Sequence, residues 1–235
     1  FQQGGASQQF ASVPLNLSCV DDTVDQVVTG QWSKKALSEG KRHVKVNVAS
    51  TSEDSHFSTI QAESEWKLTE GAAYFHYCPN ETIGGLEFDF VPRTRAPVVA
   101  DMSSTILSRP IDIQRFGVIY AGAQKNIGPA GLCLLVVKRD LLDRARSDIP
   151  AMLSWKLAAD NDSMYNTPPT FSLYLSGLVF EWIEAKGGLS AIKALNEKKA
   201  STLYRTIDDS GFYNNPVDVR YRSLMNVPFT LADAS

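Results

Sequence analysis

Uninterrupted apolar runs of strand length are the feature that most constrains the fold of this chain. They occupy residues 72–78, 97–103, 118–123 and 131–138, and shorter runs occupy 25–30 and 44–50. A strand with one solvent face alternates apolar and polar residues, whereas most of these runs are apolar at nearly every position. The sequence therefore predicts a sheet that is covered on both faces.

Helical patterns lie between and after these strands. Residues 33–40 predict a short helix, and residues 170–188 and 190–211 predict two long ones, with Ser190 as the N-cap of the second. Residues 222–231 predict a further strand. Because strands and helices alternate, the expected fold class is α/β with a mostly parallel sheet.

Composition excludes several classes of function. The 235 residues carry a formal charge of −3, so no basic surface points to nucleic acid. The apolar runs are too short to cross a bilayer, and no signal-peptide pattern is present. Cys19, Cys78 and Cys133 lack the spacing of a zinc site or a disulfide framework. We expect no membrane, nucleic acid or metal partner, and a cytoplasmic location.

Two charged residues follow neighbouring apolar runs. Asp101 ends the run at 97–103, and Lys125 comes 24 residues later, just after the run at 118–123. Ligands of α/β sheets bind outside the carboxyl ends of the strands. Taken singly, Asp101 is more often a turn residue and Lys125 a structural side chain. Taken together, they predict an acid and an amine that face one cavity.

This pair matches what a pyridoxal phosphate (PLP) enzyme requires. A lysine binds the cofactor aldehyde, and a carboxylate keeps the pyridine nitrogen protonated. The glycine-rich loop that leads into a probable helix at residues 3–17 is a candidate phosphate site, although a Gly-Gly pair taken alone is more often an ordinary turn. Trp32 is a candidate for stacking on the ring, although a tryptophan taken singly is more often a core residue.

Four longer segments resemble phosphoserine aminotransferases, a class-V family of fold-type-I PLP enzymes. They are "HYCPNETIGGLEF", "VVADMSSTILSRPIDIQRFGVIYAGAQKNIGPAGL", "NDSMYNTPPTFSLYLSGLVFEW" and "RSLMNVPF". The likeness runs in order across essentially the whole chain. It implies a mostly parallel seven-stranded sheet covered by helices on both faces, which is the large domain of that fold.

The resemblance implies a role for each matching residue. Lys125 is the expected Schiff-base lysine and Asp101 the partner of the pyridine nitrogen, while Trp32 stacks on the ring and Thr82 bonds its hydroxyl. The expected contacts on the phosphate side come from Ala6 and Ser7, through their backbone N–H groups, and from Gln124. Asn166 and Thr167 resemble a pair that reaches the cofactor of the neighbouring subunit, which implies a homodimer with shared active sites.

There are also departures from the family pattern. Ala6 and Gln8 replace glycines of the loop, and Ser7 stands where some members have arginine. The basic residues with which the family binds substrate carboxylate and phosphate have no matching positions, and Arg109 and Arg222 are expected to form structural salt bridges only. We expect a PLP-binding large domain at 1–221 and the start of a small domain, cut short, at 222–235.

The function that the resemblance implies is amino transfer between glutamate and 3-phosphohydroxypyruvate in serine biosynthesis. Some bacterial members also act on a phosphohydroxythreonine in pyridoxine synthesis. Two alternatives remain. The chain is another fold-type-I PLP enzyme, although Gln124 replaces the histidine typical of cysteine desulfurases. Or this stretch binds cofactor and dimerises with weak or no turnover.

Overall fold

The computed structural model of the chain describes residues 1–232, and the last three residues of the expected small domain, 233–235, lie outside the described part. The strands are Gln2–Gln3 (β1), Thr23–Val28 (β2), Lys45–Thr51 (β3), Phe75–Tyr77 (β4), Val98–Asp101 (β5), Val118–Gly122 (β6), Leu132–Val137 (β7), Tyr213–Asn214 (β8) and Thr230–Leu231 (β9). The α-helices are Ala6–Leu17 (α1), Gln31–Gly40 (α2), Trp155–Asp160 (α3), Thr170–Ala185 (α4) and Gly188–Ser210 (α5).

The first seven strands form one sheet in the order β1-β7-β6-β5-β4-β2-β3. The pairs from β3 to β6 are parallel, whereas β7 runs antiparallel to both β6 and β1. The prediction of a mostly parallel seven-stranded α/β sheet is therefore confirmed. Since β1 and β6 are both antiparallel to β7, they point the same way, and their carboxyl ends lie at one edge.

Both faces of the sheet are buried, as the apolar runs predicted. Val99, Val118 and Tyr120 pack with Phe10 and Val13 of α1 in one apolar cluster. Their neighbours along the same strands pack on the opposite face, in a second cluster that Leu173 and Phe180 of α4 join. These neighbours are Val98, Ala100, Ile119 and Ala121. Alternate residues of a strand point to opposite faces, so a strand buried on both faces is apolar throughout.

The start of α5 differs from the prediction. The helix begins at Gly188, so Ser190 lies inside its first turn and is not the N-cap. Gly187 precedes the helix with a φ of 97°, in the left-handed region that glycine adopts without strain. The chain reverses at this glycine, and the position of the turn therefore sets the start of the helix.

The predicted strand at 222–231 is wrong over most of its length, because only Thr230 and Leu231 are in a strand. The preceding residues form an irregular segment that docks on the loop after β4. Ser223 N donates to Gly85 O at 2.9 Å, and Leu224 N donates to Glu87 Oε2 at 2.8 Å. Pro228 packs against Gly85, where a Cβ atom would approach its ring to 2.3 Å. The backbone N–H groups of this segment therefore bond to a loop, whereas those of a strand would bond to a neighbouring strand.

The two arginines that were expected to be structural both form ion pairs. Arg109 bonds the carboxylate of Glu87, which is only 5% exposed and also accepts from Leu224 N. Arg222 bonds both carboxylate oxygens of Asp208, at 2.6 and 2.9 Å. The expectation of structural salt bridges is confirmed for both.

Replacing Arg109 with glutamine should destabilise the fold. Glu87 would keep a buried charge without its cation, which costs about 3 kcal/mol of unfolding free energy. Lys34→Gln is the matched control, since it breaks the exposed pair of Lys34 with Glu53 and should cost at most about 1 kcal/mol. Urea unfolding measures both variants, and equal effects would contradict this account of the Arg109 pair.

Candidate active site

Residues from four adjacent strands meet at the carboxyl-terminal edge of the sheet. Trp32 follows β2, Thr82 follows β4, Asp101 ends β5 and Lys125 follows β6. In open α/β sheets this edge is where ligands bind. The fold therefore brings together four of the side chains that the sequence singled out.

The amine of Lys125 lies at the centre of this group. Its Nζ donates a hydrogen bond of 2.6 Å to Thr82 Oγ1 and lies 5.5 Å from the centre of the Trp32 ring. Partial burial lowers the pKa of Lys125 below its usual value, while the negative charge of Asp101 opposes that shift. A lowered pKa increases the fraction of neutral amine, which is the nucleophilic form.

Asp101 is buried and rigidly held. Its Oδ1 accepts from Ser103 N at 3.0 Å and from Ser103 Oγ at 2.6 Å, and Ser103 Oγ accepts in turn from Gly122 N at 3.0 Å. Burial raises the pKa of Asp101, and the bonds from Ser103 and the charge of Lys125 act against that rise. These bonds orient the carboxylate and occupy one of its two oxygens.

The start of α1 lies at the same edge. Gly4, with a φ of 97°, donates to Gly131 O at 3.1 Å after β1, and Gly5 in extended conformation leads into the helix. The N–H groups of Ala6 and Ser7 belong to the first turn and have no acceptor within the helix. Free donors and the helix dipole coincide at this helix start, an arrangement that favours an anion.

Gln124 precedes Lys125 in the loop after β6. Its side chain is exposed and folds over Gly122, where a Cβ atom would come within 2.6 Å of Gln124 Oε1. Gly122 pairs with Cys133 of β7, and Cys133 pairs with Gln2 of β1. The amide therefore lies at the end of β6, and β7 joins β6 to the strand that leads into α1.

Asn166 and Thr167 are not bonded to this group. Both are exposed in the loop between α3 and α4, where Gln3 Nε2 donates to Thr167 O. Over residues 1–232, no hydrogen bond connects either residue to Lys125, Asp101, Trp32 or Thr82.

Two residues at the site were not predicted. Ser103 orients Asp101, because its N–H and its hydroxyl both donate to the carboxylate. Glu81 is fully buried beside Thr82, and its carboxylate bonds the start of α2. Apart from the position of Ser103 two residues after Asp101, no sequence signal distinguishes either residue, because the partners of Glu81 are 48 and 49 residues away.

His76 of β4 is buried in the core, and its Nδ1 has no hydrogen-bond partner within residues 1–232. Its Nε2 shares a hydrogen bond of 2.8 Å with the Tyr120 hydroxyl, and the two rings stack. Burial lowers the pKa of His76 from 6.5 to about 4. The folded protein therefore keeps this imidazole neutral at pH values where the unfolded chain would protonate it.

This difference predicts a pH-dependent loss of stability. As the pH falls from 6.5 toward 4, the unfolded state takes up a proton that folded His76 does not, so the unfolding free energy drops. At pH 4.5 the cost relative to pH 7 is about 2 to 3 kcal/mol. In urea unfolding of His76→Gln, the drop in unfolding free energy between pH 7 and pH 4.5 should be smaller than in wild type by that amount. The control His56→Gln, at an exposed position, should show the same drop as wild type. Parallel pH dependences in all three proteins would contradict the prediction.

Other features lie away from this edge. A cavity of about 930 Å³ opens at the amino-terminal edge of the strands, lined by Asp22, Ala73 and Pro97 among others, and contains no member of the Lys125 group. Within residues 1–232, no cluster of three or more potential metal ligands occurs. None of the helices described there is long and apolar enough to cross a membrane.

Comparison with known proteins places this arrangement in a family. The aminotransferase class-V family model matches residues 1–235. Phosphoserine aminotransferase from Hahella chejuensis is 61% identical over 234 residues, which are 99% of this chain and 65% of that protein. Phosphoserine aminotransferase from Pseudomonas aeruginosa strain LESB58 is 58% identical over the same shares. The chain thus spans about 65% of the length of these curated relatives.

Solved structures agree with the sequence matches. Phosphoserine aminotransferase from Bacillus circulans subsp. alkalophilus superposes with a TM-score of 0.96 at 45% identity, covering 99% of this chain and 65% of that one. PLP-bound phosphoserine aminotransferase from Trichomonas vaginalis gives 0.94 at 42% identity, with 99% and 66% covered. By sequence and by structure, this chain belongs to the class-V aminotransferases.

Proposed function

We propose that the whole protein is a PLP-dependent transaminase that exchanges the amino group between glutamate and 3-phosphohydroxypyruvate. The observation that carries this proposal is the amine of Lys125, held 2.6 Å from Thr82 Oγ1 and 5.5 Å from the Trp32 ring, at the sheet edge that also carries buried Asp101. The relatives at 58 to 61% identity, which are named phosphoserine aminotransferases, support the substrate.

The donor set of the site fits PLP. A half-buried amine with a lowered pKa suits the aldehyde, and a buried carboxylate with one committed oxygen suits the pyridine nitrogen. The free N–H groups of Ala6 and Ser7 suit the phosphate, with Gln124 nearby, and Trp32 offers a ring face. When bound, PLP supplies an electron sink that stabilises negative charge at the α-carbon of an amino acid.

The residues of the chain supply binding, orientation and proton transfer. Lys125 Nζ would hold the cofactor through its aldehyde, and the same amine would accept the proton that leaves the substrate α-carbon. Thr82 Oγ1 fixes the position of that nitrogen through its 2.6 Å hydrogen bond. Asp101 would accept a hydrogen bond from the protonated ring nitrogen, since Ser103 keeps its carboxylate in place.

We further propose that the whole protein is a homodimer whose Asn166 and Thr167 reach the cofactor of the partner. Both residues are exposed and stand before Pro168 and Pro169, which stiffen the loop. The next helix, α4, exposes an apolar stripe at helical spacing, formed by Phe171, Tyr174, Leu178 and Trp182. Such a stripe on a surface helix is typical of an interface. Sedimentation of the whole protein tests the dimer.

The domain division and location are proposals of the same kind. We infer that residues 1–221 form the PLP-binding domain and that 222–235 begin a second domain. Cys78 and Cys133 are buried free thiols, which fits the reducing cytoplasm. Phosphohydroxythreonine of pyridoxine synthesis is proposed as a second substrate.

A coupled assay tests the function. The whole protein, loaded with PLP, should form phosphoserine from glutamate and 3-phosphohydroxypyruvate, and phosphohydroxythreonine serves as a second acceptor arm. If the cofactor binds at Lys125 and neither acceptor is turned over, the protein binds PLP and dimerises but is not this transaminase. Failure to bind PLP at all would overturn it.

A further inference from the structure

A buried carboxylate next to the site has no part in the function proposed above. Glu81 is fully buried, and its two oxygens accept three hydrogen bonds from the start of α2. Trp32 N donates to Oε2 at 2.9 Å, while Ser33 N and Ser33 Oγ donate to Oε1 at 2.9 and 2.5 Å. The carboxylate thus binds the positive end of a ten-residue helix from a loop far along the chain.

The local sequence of α2 makes room for this contact. Gly30 precedes the helix and has no side chain with which to cap it. A Cβ atom at Gly30 would come within 2.6 Å of Glu81 Cδ, so only glycine admits the carboxylate. The cap that a serine or aspartate normally provides at the start of a helix comes here from Glu81.

The same residue also fixes the backbone next to Thr82. Glu81 N donates to Leu86 O at 2.9 Å, and Gly85 N donates to Glu81 O at 2.7 Å. Thr82, the next residue, accepts from Lys125 Nζ. One side chain and its own backbone therefore connect the parts that carry Trp32, Thr82 and Lys125.

The ring of Trp32 depends on this anchor. Its buried Nε1 has no hydrogen-bond partner anywhere in residues 1–232, so no hydrogen bond of the ring itself fixes its orientation. The bond from Trp32 N to Glu81 fixes the backbone from which the ring projects. A ring that must lie parallel to a cofactor needs a backbone that is held in place.

We propose that Glu81 is a positioning residue, which sets the ring of Trp32 and the hydroxyl of Thr82 against Lys125. This inference rests on the proposed function, because the groups that Glu81 positions are those that would hold PLP. The alternative is a helix cap that contributes to stability alone.

Glu81→Gln separates the two roles, since it keeps the size of the side chain and removes its charge and one acceptor. We expect the dissociation constant of PLP to rise about tenfold, because a hydrogen-bonded charge is lost at the anchor. Glu53→Gln is the matched control, since Glu53 pairs with Lys34 of the same helix at the exposed surface. It should leave PLP affinity unchanged.

A second readout needs no cofactor. In protein containing 5-fluorotryptophan, the ¹⁹F resonance of Trp32, assigned with Trp32→Phe, should shift or broaden in Glu81→Gln and stay unchanged in Glu53→Gln. If Glu81→Gln does not fold, Ser33→Ala replaces it, since this variant removes one of the three donors to Glu81. The Trp32 resonance and the PLP dissociation constant should then change in the same direction by a smaller amount.

The outcomes are distinct. A lower melting temperature with unchanged Trp32 resonance and unchanged PLP affinity would overturn the inference and leave only a cap. Wild-type protein that binds no PLP would overturn the proposed function, and the Trp32 resonance would still decide whether Glu81 positions the ring.

Discussion

Lys125→Ala is expected to lower turnover of the whole protein by about 10²- to 10⁴-fold or more, the contribution of a positioned proton-transfer group. The structure gives the reason, since Lys125 is the amine that bonds Thr82 and faces Trp32 at the carboxyl edge of the sheet. The covalent attachment of PLP should also be lost. Steady-state kinetics and the absorbance of bound cofactor measure the two effects.

Lys35 provides a matched control for this variant. Its Nζ also lies over the Trp32 ring, at 4.4 Å, but Lys35 is exposed on α2. Lys35→Ala should therefore keep the attachment and most of the turnover. An equal loss in both variants, or attachment that persists in Lys125→Ala, would contradict the assignment of the amine.

Asp101→Asn is expected to have the second largest effect. Asparagine keeps an oxygen that accepts from Ser103, so the site should stay folded and lose one negative charge. Turnover should fall about 10²- to 10³-fold, as for loss of one preorganised electrostatic partner. PLP should still attach at Lys125.

The same variant predicts a pH shift with a definite sign. The charge of Asp101 favours the ammonium form of Lys125 and raises its pKa. Removing that charge lowers the pKa, so half-maximal attachment of PLP should occur at lower pH than in wild type. Ser104→Ala, close in sequence but bonded to Asn80, is the control. Wild-type turnover in Asp101→Asn, or a shift to higher pH, would contradict the role of Asp101.

The parallel sheet could be predicted because a strand that is buried on both faces has apolar residues at consecutive positions. Val98 and Val99 point to opposite faces and are both apolar. Residues 222–229 have a similar apolar composition, yet their partner is a loop more than 130 residues away. The apolar pattern of a segment indicates that the segment is buried. It does not indicate which other part of the chain pairs with its backbone N–H and C=O groups.

The site was predictable where it follows from strand ends and was missed where it depends on distant contacts. Asp101 and Lys125 each come at the end of an apolar run, so topology alone brings them together. Glu81 and Ser33 are 48 residues apart, and neither stands out among its neighbours. A helix cap from another loop has no sequence pattern, since it arises only once β2 and β4 pair.

The central claim is that Lys125 holds PLP, and reduction with borohydride followed by peptide mapping tests it most directly. Reduced cofactor on Lys125 blocks trypsin there, so the account predicts one modified peptide that spans residues 116–138. The unmodified chain is cut after Lys125. A folded, PLP-loaded protein whose label lies on any other lysine, or on none, would contradict the account.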